Sequence, residues 1–102
     1  MRTTITTRHC EIPDVLKVRA EALVERLGQL ASRAVQCTVL FENDHQAPSA
    51  EVRLHVARGK IHVARGEGAD HRTALDRAEE KLRNQLDKAS SRPRRRAKVD
   101  RA

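Results

Sequence analysis

The side chains of this sequence that could carry chemistry are cations repeated at helical spacing. In residues 71–88 the apolar positions recur every three or four residues (Leu75, Ala78, Leu82, Leu86). A polar row runs one position over (Arg77, Lys81, Asn84, Lys88, Arg92). Beside the leucine stripe of an earlier segment, three arginines recur every seven residues (Arg19, Arg26, Arg33). If the two helices pack side by side, these cations line the groove between them, where they would neutralise phosphate.

The composition favours a polyanion partner and leaves two other readings open. The net charge is +7, and residues 90–102 supply +5 of it, with six Lys or Arg against Asp100. Such a segment cannot form a core, so we expect a flexible Arg-rich tail. Phe41 is the only aromatic residue, so stacking on bases is disfavoured and phosphate contacts are expected. Acidic residues share both helices, so a plain solvated surface and a protein-binding surface remain alternatives.

Signals for catalysis, metal binding and export are missing from the sequence. It has no nucleophile elbow, no phosphate-binding glycine loop and no zinc-protease motif, and Arg65-Gly-Glu-Gly68 is interpreted as a turn. We therefore predict no enzyme activity, no cofactor and no metal. Cys10 and Cys37 lack metal-like spacing and are expected to be reduced, buried thiols. Without a signal peptide or a long apolar run, a cytoplasmic protein with no membrane partner is expected.

The elements that must position the cations follow from local periodicity. We predict strands at 2–6, 35–42 and 49–57, a loop at 43–49, and a first helix from Asp14 to about Ala31. Arg58-Gly59 predicts a tight hairpin that pairs Ala57 with Lys60. That register places Val56 opposite Ile61 and Leu54 opposite Val63 on one apolar face. It also places His55 across from His62 on the polar face, as a solvent-facing pair rather than a metal site.

The second helix is expected to begin after Asp70, a plausible N-cap. The order is therefore β-α-β-β-β-α, an antiparallel four-stranded sheet with one apolar face. Two amphipathic helices must cover that face, which gives an α/β two-layer sandwich. We expect one domain over residues 1–89, followed by the tail at 90–102.

Two stretches of the sequence resemble a known family. They are ITTRHCEIPDVLKVRAEALVERLGQL and AEVRLHVARGKIHVARGEGADHRTALDRAEEKLRNQL. Both are similar to ribosome hibernation-promoting factors, also called ribosome-associated inhibitors or sigma-54 modulation proteins. The opening I-T-G-R-H-x-E-I pattern, the paired L-H-V and I-x-A hairpin, E-G-x-D and the closing helix occur in the family's order across residues 1–89. Thr7 stands where the family favours Gly.

The resemblance implies a monomeric translation regulator that occupies the decoding channel of the small ribosomal subunit and blocks mRNA and tRNA during stress. Its partner would be 16S rRNA, with no DNA and no turnover. The family's basic positions fall on Lys81, Lys88, Arg8 and His9, and Arg83 stands beside Asn84, where the family commonly has Arg. The full set of predicted RNA contacts is Arg8, His9, Arg26, Arg33, Arg77, Lys81, Arg83, Lys88 and Arg92. The alternative is a sigma-54-type regulator that binds an acidic protein.

Overall fold

In the part of the chain that the structure describes, four strands and two long helices follow each other in the predicted order. The computed structural model describes the backbone of residues 1–31, 33–44 and 47–99, and the side chains of 1–31, 33–43, 47–58 and 60–88. The elements are β1 (Arg2–Arg8), α1 (Asp14–Leu30), β2 (Ala34–Asp44), β3 (Ala47–Val56), β4 (Ile61–Glu67) and α2 (His71–Val99), with a 3₁₀ turn at Ala57–Gly59.

The sheet has the order β1-β2-β3-β4, and both helices cover one of its faces. The two-layer sandwich is therefore confirmed, but the sheet is mixed rather than wholly antiparallel. β1 and β2 run parallel, whereas β2, β3 and β4 are antiparallel neighbours. The reason is the intervening α1, which returns the chain to its starting end so that the next strand repeats the direction of the first.

The hairpin between β2 and β3 is longer than the sequence predicts. Asn43 pairs with Pro48 and Asp44 with Ala47, so most of the predicted loop at 43–49 is strand. Residues 45 and 46 lie outside the described part of the chain.

The register of β3 with β4 differs by one residue from the prediction. Leu54 lies opposite His62, and His55 lies opposite Ile61. The hairpin turn has three residues rather than two, with Arg58 at φ 74° and the Val56 N–H donating to the Lys60 carbonyl. One added residue exchanges the two faces of a strand. The predicted histidine pair is therefore wrong: His62 faces the helices and His55 faces the open side.

This register is the one that lets α2 pack closely on β4. It places the small residues Ala64 and Gly66 beneath the helix, and both are buried. A Cβ added to Gly66 would lie 2.3 Å from the Ala74 carbonyl oxygen and 2.7 Å from the Ala78 nitrogen. Only glycine fits at that point. The interpretation of residues 65–68 as a turn is wrong as far as Glu67, because β4 continues through that residue.

The core lies between the sheet and the helices. Its largest fully buried side chain is Phe41 of β2, surrounded by apolar side chains from both helices. Both cysteines are free: Cys37 is buried in the core and Cys10 is half-buried beside it. None of the described helices is both long enough and apolar enough to cross a bilayer.

The backbone of α2 continues past residue 89, where the sequence predicts the domain to end, as far as Val99. Side chains beyond Lys88 are outside the described part of the structure. The predicted division between a domain at 1–89 and a tail at 90–102 therefore stays a prediction, as does the role assigned to Arg92.

Candidate nucleic-acid interface

Three side chains on one flank of α2 reach the outer edge of the sheet. β4 is an edge strand, so alternate carbonyls of its backbone point away from β3. Residues 77, 81 and 85 of α2 donate to these carbonyls, and we call them the edge row. The bonds are Arg77 Nη1 to Glu67 O at 2.8 Å, Lys81 Nζ to Arg65 O at 2.9 Å, and Gln85 Nε2 to Val63 O at 2.7 Å.

The regularity of the edge row follows from the two backbone geometries. Four helical residues advance about 6.0 Å, and two strand residues advance roughly 6.6–6.8 Å. Each step of four along α2 therefore matches a step of two along β4, and three contacts form before the small mismatch accumulates. The rigid edge strand thus holds the ends of these long side chains in place.

The two cations of the edge row are not paired with carboxylates of the described residues. Their partners are neutral carbonyls, and both Arg77 and Lys81 are exposed. Lys88 follows further along α2 and is also exposed. Within the described part of the chain, none of these three residues forms an ion pair. Together they make a positively charged strip, Arg77, Lys81 and Lys88, which we call the cationic strip.

In the groove between the helices, by contrast, arginines are paired with carboxylates. Arg19 binds Asp76 through Nε and Nη2 at 3.1 and 3.0 Å. Arg26 Nη2 lies 3.0 Å from Glu79 Oε2, and Arg83 Nη1 lies 3.9 Å from the same oxygen. The predicted groove lined by both rows of cations is therefore wrong. Arg77 and Lys81 of α2 reach β4 instead, and α2 turns Asp76 and Glu79 towards the arginines of α1.

The remaining predicted contacts lie at the two ends of the sheet. Arg8 ends β1 and forms an ion pair with Glu42 at 3.3 Å. His9 follows with φ 59° and is exposed, and its carbonyl accepts a bond from Asn43. Arg33 stands at the opposite end, exposed and at φ 63°. The eight predicted residues whose side chains the structure describes are thus dispersed, and of these eight only Arg77, Lys81 and Lys88 share one flank.

Sequence reasoning missed Gln85, the third member of the edge row. The predicted row contained Asn84, but that residue is exposed on α2 beside Glu80 and Asp87, and no described contact joins it to β4. A stricter signal was present, because residues 77, 81 and 85 keep a constant spacing of four. Gln85 is uncharged, so a pattern of cations alone does not include it.

The start of α2 is held by side-chain contacts. The backbone N–H of Thr73 donates to Asp70 Oδ1 at 2.7 Å, so the predicted N-cap is confirmed. This bond lowers the pKa of the Asp70 carboxyl. His71 Nε2 lies 3.1 Å from the Glu42 carbonyl oxygen, and its ring meets Phe41 edge-on at 5.9 Å. These contacts fix the first turn of α2 and therefore the position of the edge row.

The described side chains contain no group of three or more His, Cys, Asp or Glu placed to hold a metal ion.

The fold and the flank together define a small two-layer α/β domain with one cationic side. Residues 3–94 match the family model described as Sigma 54 modulation protein / S30EA ribosomal protein. The chain therefore belongs to this family, which confirms the resemblance drawn from its motifs.

Solved structures share the fold. A ribosomal subunit interface protein from Coxiella burnetii is 19% identical, with a TM-score of 0.79 over 89% of this chain and 99% of that one. The N-terminal domain of Thermus thermophilus Protein Y is 24% identical, with a TM-score of 0.70 over 84% of this chain and 96% of that one. A search of curated proteins found no match.

Proposed function

We propose that this protein is a ribosome hibernation factor that binds rRNA of the small subunit in the decoding channel and sterically excludes mRNA and tRNA. Membership of a family described as ribosomal, and a fold shared with a ribosomal subunit interface protein, support a ribosomal partner. The observation that carries the proposal is the cationic strip, because its charges are exposed and no carboxylate of the described residues forms an ion pair with them.

The strip suits phosphate better than bases. The edge row holds Arg77 and Lys81 on backbone carbonyls, so little side-chain freedom is left to be lost on binding. Each phosphate neutralised releases counterions, so affinity falls as salt rises. Phe41 is the only Phe, Tyr or Trp in the chain and is buried, so the aromatic side chains that usually stack on bases do not reach the surface. The protein acts by occupancy and performs no chemical step.

The strip and the groove supply a matched test. Lys81→Gln keeps a donor for the Arg65 carbonyl but loses the charge, and Lys88→Gln removes a second charge from an exposed site. In pelleting assays with small subunits, each substitution should lower the slope of log affinity against log salt by about 1. Arg26→Gln is the control. Arg26 is already paired with Glu79, so its loss should change the slope much less.

Two outcomes would refute the proposal. One is binding that does not respond to salt, and the other is a Lys81→Gln, Lys88→Gln double variant that pellets like wild type. Ribonuclease treatment distinguishes RNA binding from the alternative function, which is binding to an acidic protein. Only the pull-down of an acidic protein would survive the treatment. Toeprinting then tests the mechanism, because a channel-bound factor should abolish the signal of mRNA and tRNA placement.

A further inference from the structure

The two edges of the sheet differ in how far their outward backbone groups are hydrogen-bonded. The β4 edge is closed, because the edge row occupies three of its outward carbonyls. β1 forms the opposite edge and pairs with β2 on one side only. Within the described ranges no other element bonds to its outer side. Every residue of β1 is exposed except Ile5, which is half-buried.

β1 also lacks the usual protection of an edge strand. Natural edges carry inward charges, prolines, bulges or a covering element. The five residues between Arg2 and Arg8 are Thr-Thr-Ile-Thr-Thr, with no charge, proline or glycine. All five are β-branched, the type that favours extended pairing. The ladder of β1 with β2 runs from Arg2 to Arg8 without a shift, so the edge is regular along its length.

The sequence of β1 is palindromic. Residues 2–8 read R-T-T-I-T-T-R in either direction. Two such strands that meet antiparallel about a two-fold axis through Ile5 pair each residue with one of the same type. Ile5 meets Ile5 of the second copy, and Thr4 meets Thr6. A self-complementary patch is what an isologous dimer requires.

We propose that β1 is a homodimerisation edge, at which two copies join antiparallel through Arg2–Arg8 into one continuous eight-stranded sheet. The helices of both copies then cover the same face. Between β1 and α1 lies an open groove of about 580 Å³ lined by Met1, Thr3, Ile5, Glu21, Val24 and Glu25. It leaves room on the helix side for Ile5 of the second copy. This association is independent of RNA binding and departs from the monomer expected from the sequence.

Charge sets the conditions under which the dimer forms. The pairing brings Arg2 opposite Arg8 of the second copy, and like charges in direct opposition destabilise a pair. Arg8 carries a counter-charge in Glu42 at 3.3 Å, so the repulsion is partial and is screened by salt. The contact is small, so the dimer is weak and forms at high protein concentration. Dimerisation strengthens with salt, whereas phosphate binding weakens.

Cysteine pairing tests both the edge and the register. The background is Cys10→Ser, with Cys37 left in place because its thiol is buried. Thr4 and Thr6 are exposed, so Thr4→Cys and Thr6→Cys should fold normally, which circular dichroism verifies. Under mild oxidation a mixture of the two variants should give a disulfide-linked heterodimer, and neither variant alone should cross-link efficiently.

Every other pattern overturns the proposal. Cross-linking of each variant with itself, but not with the other, would indicate a parallel or differently centred pairing. No cross-linking in the mixture would mean that the edge does not pair.

Sedimentation velocity provides a second measurement without cysteines. Wild type should show more dimer at higher salt. A Thr4→Lys, Thr6→Lys variant places like charges opposite each other across the axis and should lower the dimer fraction at least tenfold. Thr38→Lys is the control for added charge: it places one lysine on the same sheet face, but on the inner strand β2, and should dimerise like wild type. Equal dimer fractions in all three proteins would refute the proposal.

Discussion

Replacing Gly66 by alanine should test whether close packing of α2 on β4 holds the fold together. The added Cβ would meet the Ala74 carbonyl oxygen at 2.3 Å, the Ala78 nitrogen at 2.7 Å and Arg77 Cβ at 2.9 Å. All three distances are shorter than a normal contact, and two involve helix backbone that cannot rotate away. Overpacking a core costs about 1–3 kcal/mol. Because α2 would have to move as a unit, we expect about 3 kcal/mol.

The same substitution at Gly28 should not lower the free energy of unfolding. There a Cβ would meet only the end of the Met1 side chain, with Cε at 3.0 Å, and that side chain can swing aside. An alanine in the interior of a helix gains roughly 1 kcal/mol over glycine. We therefore expect Gly28→Ala to be neutral or stabilising by up to about 1 kcal/mol.

Thermal and urea unfolding followed by circular dichroism would measure both variants. For a domain of this size 1 kcal/mol corresponds to about 4–8 °C in Tm, so Gly66→Ala should melt at least about 12 °C below wild type. Its displaced α2 should also weaken small-subunit binding. A Gly66→Ala protein within about 0.5 kcal/mol of wild type would refute the packing argument, since that is the usual range of surface substitutions.

Two further predictions follow from titrating groups. The Thr73 N–H bond holds the pKa of Asp70 below its ordinary value of 3.8, so the stability that the cap contributes is present above that value and lost as pH falls through the lowered pKa. Urea melts of wild type and Asp70→Ala should differ at neutral pH and converge in acid; a constant difference would contradict this. Burial raises the pKa of the Cys37 thiol from 9.0 to about 11. At pH 8.5 iodoacetamide should therefore label half-buried Cys10 first and Cys37 only after denaturation, and equal labelling would disprove it.

The elements of the fold were predictable because their signals are local. Leucines at helical spacing, alternation along 35–42 and the Asp70 cap each involve residues a few positions apart, and each produced the expected element. The two-layer arrangement follows from them, since one apolar sheet face and two apolar helix stripes can only be buried against each other.

The register of β4 was not predictable from alternation alone. Val63 reads as a core residue, yet the core position goes to Ala64. The deciding interaction is the fit of a small side chain and Gly66 beneath α2, and these residues meet a helix that begins later in the chain. A three-residue turn makes that register accessible, and no pattern within the strand indicates it.

The availability of each cation to phosphate was likewise decided only by the tertiary structure. The sequence by itself determined that arginines and lysines repeat beside the apolar stripes, because periodicity places them on particular helix faces. It did not determine their neighbours. Arg26 meets Glu79 across the groove, whereas Lys81 meets a neutral carbonyl at the sheet edge. Their unequal availability to phosphate depends on which residues, distant in the chain, the packed fold brings within a few ångströms.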